Sequence, residues 1–140
     1  MDTKTGYRLS EQVGYLLRLA SQRHAVVFQN RISQGLTPTQ FSTMVRVAEQ
    51  GTVSQNQLGR LAAMDIATIK GVVDRLRAKG LLQVAADPDD KRRSVISLTA
   101  AGGDLMDQLY KDGFRISEET LAPLSQTEQK TLLELLRKIT

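Results

Sequence analysis

The amino-acid sequence predicts a mainly α-helical protein carrying one small β-hairpin. Three observations point there. Apolar residues recur at three- and four-residue spacing over most of the chain. Helix-opening pairs recur with them, Thr37 with Gln40, Ser54 with Gln57 and Ser125 with Glu128, each matching the capping-box pattern. Only residues 81–98 break the helical period. Aromatic residues make up 4% of the 140 residues and Trp is absent, so packed helices rich in Leu, Ala and Val are favoured over a β-sandwich.

Leu9, Val13, Leu16, Leu17, Ala20, His24, Val27 and Phe28 form one apolar stripe, which predicts a single helix from residue 8 to about 33. Gly35 closes it. Thr37 caps the next helix, with Pro38 at the first helical position where its missing N–H costs nothing, and Gly51 ends it. Two short helices follow, at about 54–63 and about 65–79. Leu81–Ala86 and Arg93–Leu98 are then expected to pair as strands, with Leu82 and Val84 on one face, Ile96 and Leu98 on one face, and a Pro- and Asp-rich turn between them. A long helix over about 100–121 ends before Pro123, and Ser125 opens a last helix with Leu132, Leu135, Leu136 and Ile139 along one side.

Composition removes several classes of function. With no Cys and one His, the chain offers no thiol chemistry, no disulfides and too few ligands for a metal sensor. No glycine-rich phosphate loop or close carboxylate pair accompanies them, so no enzyme and no cofactor is expected. The absence of a leader-like or membrane-spanning apolar segment predicts a cytoplasmic protein that does not enter membranes. Nineteen Lys and Arg against fifteen Asp and Glu give a net charge of +4, which suits an anionic partner.

The basic residues are concentrated where the two short helices and the hairpin meet. The helices are joined by hardly any turn, and the hairpin follows at once, an order that makes a helix-turn-helix with a wing. Ile69, Val72, Val73 and Leu76 should pack the second helix inward, leaving Ala67, Thr68, Lys70, Gly71, Asp74 and Arg75 outside. Small side chains there allow close approach to a major groove, Thr68 and Lys70 can donate to bases or phosphates, and Arg75 is placed for the backbone. Ser54 and Gln55 at the start of the first helix complete this set. On the wing, Lys91, Arg92 and Arg93 form a cationic tip, with Arg92 suited to an adjacent minor groove and Asp90 expected to hold its guanidinium bidentately. Double-stranded DNA is the expected partner. The rival is a winged helix that binds protein without sensing a ligand; exposed apolar residues on the second helix would favour it, whereas Thr68, Lys70 and Arg75 favour DNA.

Leu58-Gly59-Arg60-Leu61-Ala62, the run Val72 to Leu81, Asp87-Pro88-Asp89-Asp90-Lys91-Arg92 and Leu98-Thr99-Ala100-Ala101-Gly102 stand in an order and spacing that resemble the MarR family of winged-helix transcriptional regulators. The resemblance spans nearly the whole chain. It implies one domain over 1–140, with about 37–99 forming the winged helix-turn-helix and about 1–36 and 100–140 supplying dimerisation helices. It also implies a homodimer set over a pseudo-palindromic operator. One position departs from the family pattern: Gln83-Val84 replaces the Glu-Arg common after Lys-Gly-Leu, so the arginine that braces the aspartate of the recognition helix, here Asp74, is missing.

Members of such a family are often released from DNA by small anionic aromatic or lipophilic molecules. His24, the only histidine, lies on the first helix's apolar stripe beside Arg23 and close to Arg31, where the three could donate to a carboxylate or to an acyl-CoA phosphate. Phe28, Phe41, Met44 and Met64 are the candidate apolar wall. The expected function is therefore a homodimeric repressor released by a small anionic aromatic or aromatic acyl-CoA ligand.

Overall fold

The computed structural model describes residues 5–140. Its elements follow in the order α1 (Val13–Arg31), α2 (Pro38–Gln50), β1 (Thr52–Ser54), α3 (Gln55–Leu61), α4 (Ile66–Ala78), β2 (Leu82–Ala86), β3 (Ser94–Leu98), α5 (Ala100–Leu121) and α6 (Gln126–Lys138). They form two compact units, one of Ser33–Lys111 and one combining the residues up to Ile32 with Asp112–Thr140.

The Ser33–Lys111 unit is built around α2 to β3. Thr37 and Gln40 close a full capping box on α2, whose Met44, Val47 and Thr43 are buried. Thr43 loses no hydrogen bond by this, because its hydroxyl donates to the Thr39 carbonyl at 2.7 Å. Leu58, Ile69, Leu76 and Ile96 complete a core contributed by α3, α4 and β3. The sheet is antiparallel in the order β1-β3-β2, with Leu82 opposite Leu98 and Val84 opposite Ile96, so the expected hairpin faces are present in register. Strand β1 was not foreseen. Three residues after Gly51 are too short to display alternation, and their pairing with β3 joins segments more than forty residues apart.

The other unit holds α1, the C-terminal part of α5, and α6. The first helix is shorter than its apolar stripe: Leu9–Glu11 form a separate 3₁₀ turn, because Gln12 takes an extended backbone (φ −88°, ψ 140°) and its side chain donates to the Arg8 carbonyl at 3.0 Å. Ile32 is again extended, which ends α1. Ser125 and Glu128 form a full capping box on α6, and the Ser125 hydrogen bonds lower the Glu128 pKa below its ordinary value. Val27, Phe28 and Ile116 are buried, yet Leu9, Val13, Leu16 and Leu17 of the stripe remain exposed. Phe114, at 78% exposure, and Leu135 and Ile139 of α6 add to this uncovered apolar surface. Among the described residues no helix is long and apolar enough to cross a membrane.

Candidate nucleic-acid interface

The connection from α3 to α4 is set by local backbone chemistry. Ala63 takes the left-handed conformation (φ 55°), and the Met64 N–H returns to the Gly59 carbonyl at 2.8 Å. A Cβ at Gly59 would stand 3.1 Å from the Met64 carbonyl oxygen, so glycine keeps this reversal tight. Asp65 then caps α4 by accepting from the Thr68 N–H at 2.7 Å, and this bond holds its carboxyl below the usual aspartate range.

Helix α4 presents the expected faces. Ile69, Val72, Val73 and Leu76 are buried, while Ala67, Thr68, Lys70, Asp74 and Arg75 are exposed. Asp74, expected to lack a partner, is paired with Lys70 at 3.3 Å one turn away on the same helix. Gly71 is half-buried, and a Cβ there would meet only the mobile end of Arg75, at 3.5 Å, in ordinary contact. Packing outside the helix's own backbone therefore does not require glycine at this position.

The wing tip is shaped by aspartates that accept hydrogen bonds from backbone N–H groups and make only long ion pairs to the arginines. Asp87 Oδ1 accepts from the Asp89 N–H at 2.9 Å and Asp90 Oδ1 from the Arg92 N–H at 3.0 Å, two Asx turns. The bidentate grip expected of Asp90 is not formed: the Arg92 Nε lies 3.9 Å from Asp90 Oδ1, and the Arg92 side chain is 96% exposed. A two-residue separation at a turn favours the short Asx bond over a reach back along a long side chain. Lys91 is exposed, and Arg93 approaches Asp87 at 3.9 Å. Behind the tip, the Gln83 amide spans to Ser97 Oγ at 3.3 Å, and β2 pairs with β3 along its whole length.

Ser54, Gln55 and Arg93 come together in an open groove of about 530 Å³. Asn56 and Arg60 line it too, and were not singled out from sequence. Their i, i+4 spacing, opposite Leu58 on the same helix, was the available signal. Ser54 accepts from the Gln57 N–H at 3.2 Å, but the return bond of a full capping box is not made.

The candidate ligand residues fall in both units. In the terminal-helix unit, Arg23 donates to the carbonyls of Thr120 (2.6 Å) and Glu119 (2.9 Å), closing the C-terminal end of α5. A 2.8 Å hydrogen bond links His24 Nδ1 to Thr120 Oγ1. Arg31 pairs with the Glu119 carboxylate, which raises its pKa further. These three residues thus gather around Glu119 and Thr120, each already occupied. Phe28 is buried. In the other unit, Phe41 and Met64 are half-buried, whereas Met44 has no exposed surface and belongs to the core rather than to an open wall.

Residues 36–94 match the model of the MarR family. The chain is 40% identical over 136 residues to the HTH-type transcriptional repressor NicR of Pseudomonas putida, spanning 96% of this chain and 86% of that protein. The chain belongs to the MarR family. Among solved structures, this MarR-family chain is similar to a probable transcriptional regulator from Pseudomonas aeruginosa, with a TM-score of 0.91, 52% identity and coverage of 95% of this chain and 100% of the other. It is also similar to BpsR of Bordetella bronchiseptica, whose DNA binding is regulated by 6-hydroxynicotinic acid: TM-score 0.88, 38% identity, 95% of this chain and 96% of that one. As a MarR-family member it is a DNA-binding winged helix-turn-helix regulator of transcription and not an enzyme.

Proposed function

We propose that the protein is a homodimeric cytoplasmic repressor that binds a pseudo-palindromic operator and is released by a small aromatic carboxylate. The dimer reading is supported by the uncovered apolar side chains of α1, α5 and α6, since burying such surface contributes about 25 cal/mol per Å². Two recognition helices related by a two-fold axis call for half-sites about one helical turn apart. Sedimentation at micromolar concentration should give a dimer, and footprinting should protect both half-sites.

The observation that carries the ligand reading is the gathering of Arg23, His24 and Arg31 around Glu119 and Thr120, in a chain similar to a regulator controlled by 6-hydroxynicotinic acid. Arg31 is held by a carboxylate that another carboxylate can replace. A ligand taking that place would free the end of α5, and a two-state change in the dimer would alter the separation of its recognition helices. A 100-fold loss of operator affinity needs about 2.7 kcal/mol of coupling, the scale of one or two charge-assisted hydrogen bonds. The test is titration of the protein–operator complex with 6-hydroxynicotinate, nicotinate, benzoates, hydroxycinnamates and their CoA thioesters, followed by anisotropy. Release by an aromatic acid, blunted in Arg31→Ala with operator affinity kept, is expected. Indifference to the whole panel would remove the ligand reading.

A further inference from the structure

Ile66 is 65% exposed although it occupies the first turn of α4. Its spacing from Ile69 and Val73 places it nominally on the helix's inward stripe, and its size makes that exposure costly in water. It borders a groove of about 270 Å³ shared with Asn56, Arg60, Met64 and Asp65. Along the same helix Asp65 serves as the cap and Lys70 is paired with Asp74, while Thr68 and Arg75 are exposed. What the leading end of α4 offers outward is a branched apolar side chain, followed by the small Ala67 and by Thr68.

We propose that Ile66 is a specificity residue that reads the 5-methyl group of thymine in the major groove of each operator half-site. Thymine is the one base that presents an apolar group there, and an exposed aliphatic side chain at the front of a recognition helix is the complement of that group. Arg60, on the rim of the same groove, gives the flank a positive charge that suits the phosphates beside such a base. An exposed apolar residue on α4 would by itself favour a protein partner, but Arg60 beside it and the exposed Thr68, Lys70 and Arg75 on the same helix as Ile66 favour DNA. This inference rests on the DNA-binding role and adds to it a base preference.

The test compares operator duplexes from the protein's own promoter region, in which every half-site thymine is replaced by deoxyuridine, with unmodified duplexes, using wild type and Ile66→Ala. Removing one buried methyl corresponds to about a fourfold loss of affinity, and one in each half-site to about fifteenfold. Wild type should lose about that factor on deoxyuridine operator. Ile66→Ala should bind the two duplexes alike, with an unchanged thermal melt because the side chain is exposed. Equal binding of both duplexes by wild type, or undiminished discrimination by Ile66→Ala, would overturn the inference while leaving DNA binding intact. Self-association beyond the dimer that Ile66→Ala abolishes, without discrimination, would give the face to a second copy and overturn it as well. Failure to bind any duplex would instead overturn the DNA-binding role itself.

Discussion

Gly102 stands against the backbone of Leu81 so closely that a Cβ added to it would lie 2.1 Å from the Leu81 carbonyl oxygen. The adjoining hydrogen bonds explain the approach. The Thr99 N–H donates to that same carbonyl at 3.1 Å, the Thr99 hydroxyl donates to the Gly80 carbonyl at 2.6 Å, and the same hydroxyl accepts from the Gly102 N–H at 3.0 Å. One threonine thus caps α5 and ties it to the segment that leaves the recognition helix. The Leu-Thr-x-x-Gly pattern is the sequence trace of this junction.

Gly102→Ala is therefore expected to destabilise the protein by about 1 to 3 kcal/mol, because the obstructing atoms are backbone and cannot rotate away. Chemical denaturation of the two proteins checks this. Gly103→Ala is the control: a Cβ there meets nothing within 4 Å, so ordinary helix propensity should apply.

Gly71 should behave in the opposite way. Since packing outside the helix does not demand glycine there, Gly71→Ala should raise stability by about 0.5 to 1 kcal/mol through helix propensity. If the α4 backbone approaches the duplex at this point, operator affinity should fall in the same variant. A melt and a binding isotherm on one preparation separate the two effects, and unchanged affinity would show that the DNA does not come close to residue 71.

Arg92, nearly free in solvent on a wing tip held by two Asx turns, is expected to contact the minor groove or its phosphates. Arg92→Ala should weaken operator binding by about 1 to 3 kcal/mol. A phosphate contact would also lower the salt dependence by about one unit. Isotherms at several salt concentrations measure both quantities, and an unchanged slope and affinity would place the wing away from DNA.

The Asp65 cap gives a pH dependence whose sign follows from its lowered pKa. A carboxyl depressed in the folded state stabilises the protein above the unfolded value, near about 3.9, and loses that contribution as pH falls through the lower folded value. Asp65→Asn keeps the hydrogen-bond acceptor and removes the charge. Wild type should thus exceed Asp65→Asn in stability above about pH 4, and the difference should shrink in more acidic solution. Paired denaturation curves across that range provide the check, and a pH-independent difference would contradict it.

Local rules made most of the chain legible from its sequence. Capping residues, helix-period apolar sets and the Pro- and Asp-rich turn act within a few residues of themselves, so α2, α4, α5, α6 and the wing hairpin lie close to where sequence places them. The inward and outward faces of α4 followed for the same reason. What depended on distant partners could not be seen: β1 exists only by pairing with β3, and Arg23 and Arg31 are engaged by an α5 terminus nearly ninety or more residues away. Asp90 departs from expectation for a local reason, since it accepts from the Arg92 N–H two residues on while the guanidinium stays 3.9 Å away. Ile66 shows the limit most plainly. Periodicity assigns a residue to a helix face, but whether core material extends beneath that face at the helix's first turn is decided only by tertiary packing, and there it does not.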